Sequence, residues 1–280
     1  MDDSAFWKIT TDEPFTFNGN NEVITGVIYD DNPMDWYNGW IPLLGPTFSS
    51  NNGALITVND ITFTGAMAGV SFGHDSRQVA SQGEYAGPRG VQNTVVNNVK
   101  ILNIQAFSFS IVGCCGMACF GKGEYNNVVC TGTSRHPIDI PSATRVLDVV
   151  TANNSKNTFN NCKFGTVYSQ SNVYNNFYNT EIDFLHASAT ASNATVIHTG
   201  SVINTLLLGG GYLRPNGQVE DGVYTSGCTI KAGAVVNVLD LSKLTNNGNN
   251  VVVEDGAIVN KVLHGGKEYS SWAEFKASLQ

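Results

Sequence analysis

The sequence has few charged side chains, and few of those are basic. Asp, Glu, Lys and Arg make up 14% of the 280 residues, and 15 basic residues face 23 acidic ones, for a net charge of −8. The basic residues are scattered singly, so no basic stripe is available to neutralise phosphates. This composition argues against nucleic acid as a partner.

The uncharged stretch over residues 101–121 lacks the uniform apolarity of a membrane helix. It contains Asn103, Gln105 and three glycines among alternating apolar residues, a pattern typical of a buried strand. We therefore expect no membrane contact.

The acidic start Met1-Asp2-Asp3 does not resemble a signal peptide. We expect either that a signal was removed or that the protein leaves the cell by another route, such as inside a virus particle.

The six cysteines lack the CxxC spacing of a zinc site. Cys130 and Cys162 fall at inward-facing positions of predicted strands, and we interpret both as buried small hydrophobes. Disulfides are expected only if the protein matures in an oxidising compartment. The acidic run of Asp30, Asp31 and Asp35 lacks the spacing of a calcium loop. We predict neither a metal nor a cofactor.

Asparagine, glycine, threonine, serine and valine dominate what is present, and this composition indicates strands and turns rather than helices. An apolar residue, Asn, a second Asn or Asp, and a short alternating run recur along the chain. The recurrences are VNDITF (58–63), VNNVKI (96–101), YNNVVC (125–130), FNNCKF (159–164) and YNNFYN (174–179). Counted at the second polar residue, the anchors are Asp60, Asn98, Asn127, Asn161 and Asn176.

The irregular spacing of these anchors favours a solenoid of short strands whose coils turn at one fixed corner and accept insertions elsewhere. Asn suits the corner because it tolerates left-handed backbone angles. Stacked coils place equivalent asparagines ~4.8 Å apart, where their amides pair as a ladder. The sequence therefore predicts an all-β chain, a single-stranded right-handed parallel β-helix with a short C-terminal capping helix.

We predict one domain over residues 1–280, with an N-terminal cap over 1–28, coils with loop insertions over 29–264 and a C-terminal cap helix over 265–280. Ser271 and Glu274 form a capping-box pattern, with Trp272, Phe275 and Leu279 on one helical face. Such a helix covers the open end of the stack, which otherwise invites edge pairing.

Three insertions contain the side chains of greatest chemical interest. Residues 29–46 place aromatic rings suited to sugar stacking beside carboxylates, and the alternative is that these rings only pack the loop. Residues 71–93 offer two carboxylates for acid–base cleavage of a glycosidic bond, or cations for an acidic sugar, against the alternative of a solvated loop. The predicted catalytic pair is Asp75 and Glu84, and the predicted glycan-binding residues, which include two from a third insertion at 133–145, are Trp36, Tyr37, Trp40, His74, Arg77, Tyr85, Arg89, His136 and Asp139.

The motifs VNDITFTG, VNNVKILN, YNNVVCTG, FNNCKFG and YNNFYN give the chain a resemblance, over roughly residues 15–260, to the right-handed parallel β-helix proteins of the pectate-lyase-like class. That class includes polysaccharide lyases and hydrolases and the tailspike or fibre proteins of bacteriophages. No catalytic residues of the class align with this sequence. The resemblance implies a structural, glycan- or receptor-binding virion component that associates with other virion proteins as a homotrimer. The alternative is a secreted polysaccharide lyase or glycoside hydrolase.

Overall fold

The computed structural model describes residues 8–26, 46–50, 52–66, 69–73, 93–106, 115–135, 147–151, 155–169, 173–188, 194–209, 226–244 and 248–280. Within these residues the chain is almost entirely β-strand, with one short helix at the C-terminal end. No helix among them is long and apolar enough to cross a membrane. The prediction of an all-β chain is confirmed.

The bounds of the elements follow the alternating runs in the sequence. In chain order they are β1 (Lys8–Thr11), β2 (Phe15–Gly26), β3 (Thr47–Ser50), β4 (Leu55–Ala66), β5 (Val70–Phe72), β6 (Asn93–Ala106), β7 (Cys115–Cys119), β8 (Lys122–Asn126), β9 (Val129–Thr131), β10 (Ser134–Arg135), β11 (Leu147–Thr151), β12 (Lys156–Asn160), β13 (Lys163–Ser169), β14 (Tyr174–Tyr178), β15 (Glu181–Ala187), β16 (Thr195–Ile197), β17 (Val202–Gly209), β18 (Cys228–Ile230), β19 (Val235–Lys243), β20 (Val251–Val253), β21 (Ile258–Val259), β22 (Val262–His264), β23 (Lys267–Tyr269) and α1 (Trp272–Ala277).

The described strands pair in parallel, except for the antiparallel pair β22–β23. The paired strands form three stacks, which we call walls. The first wall runs β8–β12–β14–β16–β18–β20. The second runs through β9 and the first halves of β13, β15, β17 and β19 to β21. Strands β2, β4 and β6 span both of these walls. The third runs β1–β3–β5–β7–β11 into the second halves of β13 to β19, ending at β22. This pairing is compatible with a β-helix solenoid, and we call each repeat of the walls a coil.

A left-handed residue marks the corner between the first and second walls in successive coils. At this corner φ lies between 46° and 55° at Asp60, Asn98, Asn127, Asn161 and Asn179, and between 76° and 86° at Gly200, Gly233 and Gly256. Left-handed angles strain most side chains, but asparagine tolerates them and glycine adopts them freely. The predicted corner is therefore confirmed at four of its five anchors.

The prediction of Asn176 as the fifth corner residue is wrong. Asn160 pairs with Tyr178 rather than with Asn175, so the corner of that coil falls at Asn179. Asn176 instead lies within β14, opposite Thr158. The physical reason is the interior register, because Phe177 stacks on Phe159 at a centroid distance of 5.1 Å and an interplanar angle of 10°.

The predicted amide ladder is present at three of the anchors, where Asn98 Nδ2 donates to Asp60 Oδ1 and Asn127 Nδ2 donates to Asn98 Oδ1, both at 2.9 Å. A longer ladder beside it uses the first asparagine of each pair. The Nδ2 group of each member donates to the Oδ1 atom of the preceding one at 2.8–2.9 Å along Asn18, Asn59, Asn97, Asn126 and Asn160. Another ladder of the same kind rises along the second wall through Asp183, Asn204, Asn237 and Asn260. Each amide satisfies its neighbour, so the outward polar groups hold successive coils in register.

The interior is a continuous apolar column that includes stacked aromatic rings. Tyr125 stacks on Phe159 at 4.9 Å, and Phe159 stacks on Phe177. Cys130 and Cys162 lie inside this core, as predicted. Cys119, Cys130, Cys162 and Cys228 are free, buried thiols.

The third wall is buried on its outer side as well. Its outward side chains form a separate apolar cluster, none more than 3% exposed, of Cys115, Ala118, Phe120, Leu147, Val150 and Tyr168. The first and second walls therefore carry most of the exposed side chains among the described strands.

The capping helix is confirmed over Trp272–Ala277, but the predicted segment 265–280 also contains β23, which pairs antiparallel with β22. Two details of the cap differ as well. The Ser271 side chain accepts a hydrogen bond from the Glu274 backbone N–H at 3.1 Å, as in a capping box. The Glu274 carboxylate, however, accepts from the backbone N–H and hydroxyl of Ser270, both at 2.6 Å, rather than from Ser271. Phe275 is buried against the core, whereas Leu279 is 39% exposed and does not join it.

Two substitutions at one corner test whether the left-handed angle is required. Asn161→Val is expected to destabilise the protein by about 2 kcal/mol, because a β-branched side chain is strained at φ 53°. Asn161→Gly is expected to stay within about 1 kcal/mol of the native protein, since glycine adopts this angle without steric cost. Urea unfolding followed by circular dichroism measures both, and equal stability of the two variants would contradict the role given to the corner.

Candidate functional site

None of the predicted site residues falls among the described ones. The catalytic pair Asp75 and Glu84 lies outside them. So do the predicted glycan-binding residues Trp36, Tyr37, Trp40, His74, Arg77, Tyr85, Arg89, His136 and Asp139. These assignments stay predictions, and the candidate site is built from the described walls.

Polar and aromatic side chains gather on the outer face of the first wall, in the column that begins as the asparagine ladder. Beyond Asn160 the same position is occupied in turn by Tyr178, His198, Lys231 and Glu254. Backbone hydrogen bonds of 2.8–3.0 Å from the N–H groups of the last three to the preceding coil keep them stacked. We call these four residues, with Tyr174 and Asn176 of β14, the first-wall site.

Tyr178 and His198 form a stacked ring pair. Their centroids are 3.7 Å apart with an interplanar angle of 14°, and the His198 Nε2 atom lies 3.1 Å from Asn176 Oδ1. Burial, and next the nearby Lys231 ammonium, lower the pKa of His198, against a smaller opposing effect of Glu254. The imidazole is therefore neutral at pH 7, and donation to the Asn176 oxygen places its proton on Nε2.

Lys231 and Glu254 form an ion pair at the end of the column. The Lys231 Nζ atom lies 2.5 Å from Glu254 Oε1. The hydrogen bond from Lys231 is the main cause that lowers the pKa of Glu254. The carboxylate is thus ionised at neutral pH and already engaged, which is unlike the raised pKa of a general acid.

Tyr174 is an exposed aromatic side chain on the same face. Strand alternation points Tyr174, Asn176 and Tyr178 outward together. Tyr174 is 38% exposed and Tyr178 37%, and the Lys156 Nζ atom lies 5.8 Å from the Tyr174 ring centroid. Aromatic surface beside hydrogen-bonding groups is the combination that binds sugar rings.

Glu124 and Glu254, two carboxylates of the described first wall, do not suit acid–base cleavage as a pair. Glu124 and Glu254 lie five strand spacings apart, about 24 Å. Glycosidases that use two carboxylates hold them ~5–9.5 Å apart. The described residues also include no cluster of three or more metal-ligating side chains.

The buried thiols are not nucleophiles. Burial raises the pKa of Cys119, Cys162 and Cys228 from the ordinary value of 9.0 to about 12. Their thiolate fraction at neutral pH is negligible, so nucleophilic or metal-binding chemistry is disfavoured. The interpretation of Cys162 as a small hydrophobe is consistent with this.

The first-wall site was missed from the sequence, although part of its signal was visible. YNNFYN was interpreted as a repeat, while its alternation places both tyrosines on one face. His198, Lys231 and Glu254 belong to different coils and form no linear motif.

Comparisons of the chain with protein-family models, with curated proteins and with solved structures find no match.

The thiol environment predicts the labelling and the pH dependence of the protein. In the native state at pH 8, peptide-level mass spectrometry should find Cys119, Cys162 and Cys228 unlabelled by iodoacetamide, whereas unfolding in urea should expose them. The folded pKa is raised, so the stabilisation is fully present below pH 9 and is lost as pH rises from 9 towards 12, since unfolded thiols ionise first. Rapid native labelling would contradict the assignment.

Proposed function

We propose that the protein is a structural, glycan-binding component of a phage particle, of the tail spike or fibre type, folded as a right-handed parallel β-helix. The observation that carries the binding role is the pair of exposed tyrosines beside Asn176 and the Tyr178–His198 stack. These side chains project from a hydrogen-bonded wall, so little ordering is needed on binding.

The location and assembly state rest on the resemblance to phage tailspikes. We propose a virion location, contacts with other virion proteins and a homotrimer, with surface polysaccharide as the ligand. Few charged residues and extensive strand surface suit a protein that buries walls against other subunits.

The second candidate, a secreted polysaccharide lyase or hydrolase, rests on Asp75 and Glu84. The separation of Glu124 from Glu254 supports binding over cleavage on the first wall. A reducing-end and unsaturated-product assay distinguishes the two functions, because a binding protein leaves every glycan intact.

The binding role is tested with an array of bacterial surface glycans. Replacing Tyr174 and Tyr178 together by Ala is expected to weaken binding by at least about tenfold, because stacking surface is lost. Both rings also make contacts within the wall, so circular dichroism must show that the double variant is folded at the temperature of the binding measurement.

The matched control is Ile258→Ala, a 49% exposed apolar side chain on the second wall, which should bind like the native protein. Absence of glycan binding by the native protein, or undiminished binding by the double variant, would contradict the binding role. Sedimentation of the native protein as a monomer would contradict the homotrimer.

A further inference from the structure

Two lysines are stacked on the outer face of the first wall. Lys122 pairs in register with Lys156, and Lys156 pairs in register with Tyr174. Both lysines are exposed, and the Lys156 ammonium lies over the Tyr174 ring. Two cations therefore stand one strand spacing apart, ~4.8 Å at the backbone, directly beside the exposed aromatic of the first-wall site.

Three lysines of the described chain have a carboxylate partner, whereas Lys122 and Lys156, like Lys100, Lys267 and Lys276, have none among the described residues. The pairs, at 2.5–3.0 Å, are Lys163–Glu181, Lys231–Glu254 and Lys261–Glu268. Lys122 and Lys156 form no salt bridge among the described residues. Stacked like charges repel. The two lysines are stacked even though the chain has eight more acidic than basic residues.

Among the described residues, the outward carboxylate two positions along β8 forms no salt bridge with either lysine. Glu124 follows Lys122 on β8, and it accepts a hydrogen bond from Asn126 Nδ2 at 3.3 Å. Along β8, Lys122 precedes Glu124 and Asn126 follows it. The contact therefore draws the carboxylate towards the asparagine ladder and leaves the two ammonium groups as a local positive patch.

We propose that Lys122 and Lys156 bind the anionic group of an acidic glycan, with the sugar ring against Tyr174. This inference rests on the proposed function and specifies its ligand class. A carboxylate or sulfate accepts hydrogen bonds from both ammonium groups and removes their repulsion. An acidic polysaccharide is favoured over nucleic acid because two cations on a protein of net charge −8 are too few to hold a phosphate backbone.

The test compares binding of alginate, dextran sulfate, neutral dextran and an oligo-dT strand to the native protein and to a Lys122→Gln, Lys156→Gln double variant. The native protein is expected to bind alginate, dextran sulfate or both, more weakly as salt rises. The double variant should bind the same polymer at least about tenfold more weakly and with less salt dependence.

The matched control is Lys100→Gln, an exposed lysine on the second wall with no salt bridge among the described residues, which should bind like the native protein. Preference for alginate identifies a carboxylate, and preference for dextran sulfate identifies a sulfate. Either result supports the proposal.

Three outcomes would overturn it. In the first, the native protein and the double variant bind neutral glycan equally tightly. This result is compatible with the proposed function but contradicts an anionic ligand. Oligo-dT bound as tightly as the acidic polysaccharides shows a site for anions in general. Failure to bind any glycan removes the proposed function together with this inference.

Discussion

The structure depends on one backbone constraint, the left-handed residue at the corner between the first and second walls. A parallel stack requires each coil to turn at the same place, because a displaced turn shifts every following side chain to the wrong face. Asparagine, aspartate or glycine at this corner permits the turn at successive levels from Asp60 to Gly256. The amide ladder and the first-wall column stay aligned because the corners are aligned.

The chemistry of the first-wall column changes one coil before the corner changes. From Asn59 to Tyr178 the corner has two residues between the walls, and the chain of amides beside it ends at Asn160. From His198 onward the corner has three, with the left-handed position taken by Gly200, Gly233 and Gly256. Glycine needs no side-chain support for this angle. The column positions beside these glycine corners hold an imidazole and an ion pair in place of amides.

The sequence predicted the strands, the corner, the ladder and the capping helix, because each depends on local residue types repeated many times. It misplaced Asn176 because YNNF matches FNNC in letters, while the register is decided by the stacking of Phe177 on Phe159 inside the core. The first-wall site was beyond sequence reasoning for a related reason. His198, Lys231 and Glu254 come from three coils separated by insertions, and only strand pairing makes them neighbours.

The energetic difference between the two sides of the wall explains how it tolerates unpaired charge. Burying one aromatic side chain such as Phe159 stabilises the fold by about 1.5–3 kcal/mol. Even if they stood only ~5 Å apart, two exposed ammonium groups would repel by only about 0.8 kcal/mol in water, and salt screens much of that. The core therefore outweighs the Lys122–Lys156 repulsion many times over. Because outward positions contribute so little to stability, they can be occupied according to what they bind, and a bound anion converts the residual repulsion into attraction.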